Sequence, residues 1–223
     1  MESGNRAALG LKTLRKCINE AVEGFPRNAV CERLLKGTFT LHHYTSLLGT
    51  LFHQTYYGPY TLARAAANCP WRYSRAKEYL IQHAEEERGH WRWILNDLES
   101  IGYEGPSPIS MLPHYTTQAY IGLNYYVAEE APIARLAIAA VLEGIGAKFG
   151  NAYAKTLVDS LNLQPRQVSF FRNHAITDEG HVKDLDVIIE SCEPSQEDWG
   201  WMLHAAAMAG RYYHAIYDHE AFK

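Results

Sequence analysis

No stretch of about 18 uninterrupted apolar residues occurs in the 223-residue sequence, which argues against a membrane-spanning helix. Cysteine is sparse. Cys17, Cys31, Cys69 and Cys192 lie far apart with no CxxC pair, which excludes a dense secreted disulfide framework and reads as the reduced thiols of a cytosolic protein. Charge of one sign is scarcely in excess, at a formal net of -4, so nothing asks for a nucleic-acid or anionic-membrane partner. Internal repeats, low-complexity runs and long alternating apolar/polar segments are also missing, and the opening Met-Glu-Ser-Gly-Asn-Arg carries no apolar core of a signal sequence. The expectation is one soluble, cytoplasmic, globular domain over 1–223, with 47% hydrophobic and 21% charged residues.

What is abundant is the polar aromatic: 11 His beside 15 Tyr and 5 Trp, a density that suits a wet, reactive cavity. Helical periodicity dominates. It predicts helices from Arg6 to Val22, Asn28 to Lys36, Thr40 to Ala67, Ser74 to Ile101, Thr117 to Glu130, Ile133 to Leu161, Pro165 to Ser191 and Gln196 to His219. Gly37 reads as a helix stop, Thr38 or Thr40 and Ser195 as caps, and Gly102 to Pro113 as a loop. Tyr79, Leu80, Trp91, Ile94, Leu95 and Leu98 form one buried stripe along the fourth helix. The third and sixth are apolar around much of their circumference and belong deep in a bundle.

Within that fourth helix lies His83-Ala84-Glu85-Glu86-Glu87-Arg88-Gly89-His90. At roughly 100° per residue, His83, Glu87 and His90 fall within about 60° of one another, with Glu86 at their border. A Glu and a His three residues apart can reach one metal ion. Alone, a Glu-Glu-Glu run reads first as a solvated face. A second segment changes that: His174, Asp178 and His181, at offsets of four and seven, stack three ligand-type side chains over two helical turns. Glu143, among small apolar residues in Ala139 to Gly146, is the third candidate, because a carboxylate buried there would cost several kcal/mol unless paired or coordinated. Carboxylate oxygen mixed with imidazole nitrogen, with no cysteine, favours iron or manganese, and iron first, as a centre that binds and reduces O2.

These residues resemble the heme-oxygenase-like di-iron oxidases and oxygenases, whose relatives include TenA-type thiaminases and pyrroloquinoline quinone synthase. The resemblance rests on Glu87 with His90, a lone Glu143 and the His174/Asp178/His181 stripe, and on Arg33-Leu34-Leu35-Lys36-Gly37 before a long Tyr/His-rich helix. It spans nearly the whole chain. It implies an all-α, single-domain, heme-oxygenase-like bundle of about seven to eight helices, and two ferrous ions held by Glu87, His90, Glu143, His174, Asp178 and His181. It further implies O2 as co-substrate and N-oxygenation, desaturation or oxidative C-C cleavage of an amino acid, amine or fatty acid in natural-product biosynthesis. Many members place the first acid seven residues before the His, a position held here by His83, so Glu86 and His83 stay open as alternatives for the first ion.

His43, His53, Tyr56, Tyr57 and Tyr60 on the third helix could face the cavity but read first as structural, and Arg135 or Arg172 could hold a substrate carboxylate. The alternative function is a metal-independent TenA or pyrroloquinoline quinone synthase-like enzyme. A thiaminase would need an activated thiol, and Cys192 has no evident base beside it. A heme oxygenase would need an axial His near the N-terminal helix, where the first histidine is His42. A ferritin-like carboxylate protein would leave His174 unused, and a non-enzymatic helical interaction module would make both stripes plain surface. The partners expected are a small-molecule substrate and a second copy in a homodimer, with no nucleic acid or membrane.

Overall fold

The periodicity is realised in a computed structural model that describes the backbone of residues 2–223 and the side chains of 9–176 and 184–223. Among the described residues nine α-helices follow in order: α1 Glu2–Gly24, α2 Ala29–Leu35, α3 Leu41–Asn68, α4 Ser74–Glu87, α5 Trp91–Ser100, α6 Tyr115–Glu130, α7 Arg135–Leu161, α8 Ser169–Ser191 and α9 Gln196–Ile216. No strand occurs among the described residues. The three single-turn 3-10 helices at Pro108–Ser110, Pro132–Ala134 and Pro165–Val168 each open on a proline, whose fixed φ and missing N–H suit a first turn.

Helix starts follow the polar side chains. Thr40 Oγ1 accepts from the His43 N–H while His43 Nδ1 accepts from the Thr40 N–H at 3.0 Å, so His43 serves a capping box. Ser195 and Asp198 do the same at the start of α9, with the Ser195 N–H 2.8 Å from Asp198 Oδ2.

The sequence predicts one helix from Ser74 to Ile101, and there the chain departs from expectation. It breaks at Arg88 to His90, because Gly89 takes φ +107°, a conformation that side chains resist. The Arg92 N–H then returns to Gly89 O at 2.9 Å and starts α5 in a new direction. This break raises the helix count above the expected seven to eight.

α7 is the bundle's axis. In its first turns Leu136, Ala137, Ile138, Ala139 and Val141 are each 4% exposed or less. It packs against α8, α9 and α1, while α3 packs against α4, α5 and α6. A Cβ on Gly150 would lie 2.8 Å from that of Ala175, so a missing side chain sets how closely α7 meets α8. No helix among the described residues is long and apolar enough to cross a membrane.

The start of α8 is held from α5 by Asp97, which is fully buried. Its carboxylate accepts from the Ser169 N–H (2.9 Å), the Ser169 hydroxyl (2.6 Å) and the Phe170 N–H (3.0 Å). Burial pushes its pKa above the ordinary value, and these bonds oppose that without cancelling it. Asp97→Ala would leave two buried N–H groups at a helix start unpaired. The expected loss is about 3 kcal/mol in urea unfolding, whereas a change under about 0.5 kcal/mol would remove Asp97 from the fold's supports.

Candidate metal centre

Four helices bring acids and imidazoles together. Glu87 ends α4, and its Oε2 lies 3.1 Å from His90 Nδ1 and 3.8 Å from His174 Nε2 on α8, while its Oε1 lies 3.9 Å from His83 Nε2. His83 in turn reaches Glu143 on α7, with Nε2 3.1 Å from Oε1. One potential donor atom each from Glu87, His90 and His174 lies within 4.8 Å of the others. His83 and Glu143 are each 5% exposed, so the polar partner expected against the buried Glu143 is, on the protein side, the His83 imidazole.

The break after Glu87 matters to this geometry. His90 stands at the N-cap of α5 and not on the stripe of a continuous helix. Its ring lies against Trp93, centroids 4.0 Å apart at 19°, and edge-on to His174 at 4.9 Å and 87°. His174 Nδ1 lies 3.0 Å from Phe170 O, and this contact orients the ring with Nε2 on the side of Glu87. Burial pushes the Glu87 pKa upward. Hydrogen bonds and charge from His174 and His90 outweigh it and hold the carboxyl well below the usual range, in the ionised form a metal requires.

The remaining candidates divide. Glu86 is exposed, accepts from Gln82 Nε2 at 2.8 Å and lines a surface recess together with His83. Asp178 and His181 lie outside the described side chains, although the backbone of α8 carries both. His53 packs edge-on against Phe52, and Tyr56 against Phe52 and Trp91, as a structural role requires. Arg172 is exposed and donates to Pro165 O. Burial pushes the Cys192 thiol above its ordinary value, which disfavours a thiolate nucleophile there.

Beside the cluster lies a cavity of about 120 Å3, lined by His83, Glu87, Glu143 and His174 and by apolar residues such as Leu62 and Phe170. Its wall includes residues that periodicity does not single out. Gln54, Gly58 and Leu62 repeat every four residues along one face of α3, and Tyr153, Tyr213 and Tyr217 close the other end. Arg135, at the start of α7, is part of the same wall. By volume there is room for on the order of ten non-hydrogen atoms, a small fraction of a porphyrin.

A second grouping of His114, His219 and Glu220 lies near the surface. Its two imidazoles stack at 4.0 Å and 25°, a geometry that does not aim both rings at one ion, and His219 Nδ1 accepts from the Ala221 N–H as a cap.

The chain is similar in fold to several solved structures. One is a domain of unknown function with a heme oxygenase-like fold from Shewanella denitrificans, at TM-score 0.72 and 19% identity over 96% of this chain and 88% of that one. Another is a TenA homologue from P. horikoshii, at 0.73 and 14% over 92% and 95%. A third is the heme oxygenase of Leptospira interrogans, at 0.67 and 17% over 93% and 98%. No curated protein matches the sequence. The family profile described as iron-containing redox enzyme matches residues 46–214, which takes in α4 to α8 and every candidate ligand. The chain belongs to this family of iron-containing redox enzymes, with a heme-oxygenase-like fold.

Proposed function

We propose that the protein is a non-heme di-iron enzyme that activates O2 against a small organic substrate. The observation that carries this reading is the carboxylate of Glu87 set among the imidazoles of His83, His90 and His174, with His83 leading on to the buried Glu143 at the cavity wall. The donor set is oxygen and nitrogen without sulfur, as iron prefers. Glu87, His90 and His174 are near enough to share one ion. His83 with Glu143 offers donors to a second ion, and Asp178 and His181 follow at one and two turns beyond His174 on the same helix. In this reading His83 takes the place that many relatives give to an acid.

Bound ferrous ions would supply the affinity for O2 and the electrons for its reduction. The chain's own part is different. Phe170 O orients the His174 ring, Trp93 fixes the His90 ring, and the apolar cavity wall keeps bulk water from the reacting substrate. The resemblance to di-iron oxygenases adds the substrate range of amino acid, amine or fatty acid.

The test is anaerobic loading of the full chain with ferrous ion followed by O2. Rapid O2 uptake with a transient visible absorption is expected. Protein that takes up no ferrous ion, or whose iron oxidises no faster than free ferrous ion in the same buffer, contradicts the proposal.

A further inference from the structure

Arg135 is a buried cation with little to bind. The residue is 5% exposed, and among the described residues the only hydrogen bonds of its guanidinium are from Nε and Nη2 to the single Thr61 hydroxyl oxygen, each at 3.5 Å. No carboxylate among the described residues lies within ion-pair distance of it. A guanidinium presents five N–H donors, and withdrawing them from water without acceptors is costly.

Its surroundings repeat the pattern. Arg135 lines both the cavity at the metal cluster and a small polar recess shared with Thr61, Tyr120 and Asn124. That recess also holds the buried Tyr120 hydroxyl and Asn124 Oδ1, which among the described residues have at most one another as hydrogen-bond partners. Unused polar capacity thus converges on one end of an otherwise apolar cavity, the arrangement that fixes a ligand's polar head.

α7 forms one wall of the cavity. Arg135, Ala139, Glu143, Gly146 and Gly150 line the cavity in turn, so one wall runs from the guanidinium past the metal cluster. The rise from Arg135 to Glu143 is about 12 Å along the helix axis, before the reach of the two side chains is subtracted. If Glu143 and Glu87 engage ferrous ions, their charge is neutralised there, and the guanidinium needs a counter-ion from elsewhere.

We propose that Arg135 binds the carboxylate of the substrate, and that the substrate is a small monocarboxylate whose apolar chain extends along α7 toward Glu143. This rests on the reading of the same cavity as the reaction site and narrows the substrate class from amines to acids. Two parallel N–H···O bonds from the guanidinium would hold the head and leave the reacting carbon several bonds away.

Octanoate, of about the size the cavity admits, is the probe, with octanamide as its uncharged counterpart. Calorimetric titration of the full chain is done first with EDTA present, then anaerobically with ferrous ion. Octanoate is expected to bind at least about tenfold more tightly than octanamide, as charge-assisted hydrogen bonds imply. Arg135→Gln removes that preference, and Arg135→Lys, a point charge without the fork, keeps part of it. Equal binding of acid and amide, no binding of either, or an unchanged preference in Arg135→Gln overturns the proposal. Should Arg135→Gln lose its helical circular dichroism, the wild-type preference and Arg135→Lys decide. The EDTA arm separates the two readings: an acid preference in a protein that binds no ferrous ion sinks only the di-iron centre. Ferrous binding without the preference sinks only this inference.

Discussion

Replacing His174 by Ala is expected to weaken ferrous binding by about 100-fold or more and to abolish the O2-dependent transient, while leaving the metal-free fold in place. The ring is partly exposed, rests on Phe170 at 4.5 Å, and turns Nε2 toward Glu87 through its bond to the Phe170 carbonyl. Loss of a group that merely orients a ligand already costs 10–100-fold in metal affinity, roughly, so loss of a ligand itself exceeds that range. Truncating a half-buried ring of this kind costs about 1–2 kcal/mol of stability, well short of unfolding a domain. Competition against a ferrous chelator measures the first effect and thermal melting in EDTA the second. A variant that binds iron as the wild type does removes His174 from the centre.

The double variant Glu143→Leu with His83→Leu separates function from stability more sharply. The acid is 5% exposed in the most apolar helix of the bundle, facing a histidine that is equally buried. Desolvating two such groups costs more than their pairing usually returns, and two leucines of similar volume need no polar partner. The metal-free variant is therefore expected to be more stable than wild type by about 1–3 kcal/mol in urea unfolding, and to have lost ferrous binding almost wholly. A variant that is destabilised in EDTA would mean that Glu143 and His83 are a structural pair. Together these variants describe a centre that the fold carries at its own expense, as functional sites often are.

Much of this architecture is written in local pattern. Period-3.6 apolar spacing places seven of the helices to within a few residues, and the caps at Thr40 and Ser195 are read from residue type alone. The break at Gly89 is not legible in that way. The apolar stripe from Tyr79 to Leu98 runs straight through it, and a glycine inside a helix costs only about 1 kcal/mol, so periodicity outvotes it. Only the backbone shows φ +107° there, and with it that His90 reaches Glu87 around a turn.

The site is legible where ligand types repeat on one helix and opaque where they depend on packing between helices. His174, Glu87 and His90 are marked as ligand types by spacing, although His90 meets Glu87 only across the break at Gly89. That His83 meets Glu143 is settled by how α4 lies on the α7 and α8 side of the bundle, a relation with no local signature. The same holds for Asp97, whose acceptor role lies 72 residues away at Ser169. In the sequence Arg135 and Arg172 are equal candidates to hold a carboxylate, and what singles out Arg135 is its burial at the cavity wall, while Arg172 is exposed.

The central claim is that this cluster holds a pair of ferrous ions. Anaerobic loading of the full chain with ferrous ion, followed by iron analysis and Mössbauer spectroscopy before and after O2, tests it most directly. The account predicts two ferrous ions per chain that O2 oxidises together to a magnetically coupled ferric pair. Iron that is lost on desalting, or a single uncoupled ferric ion per chain, would contradict it.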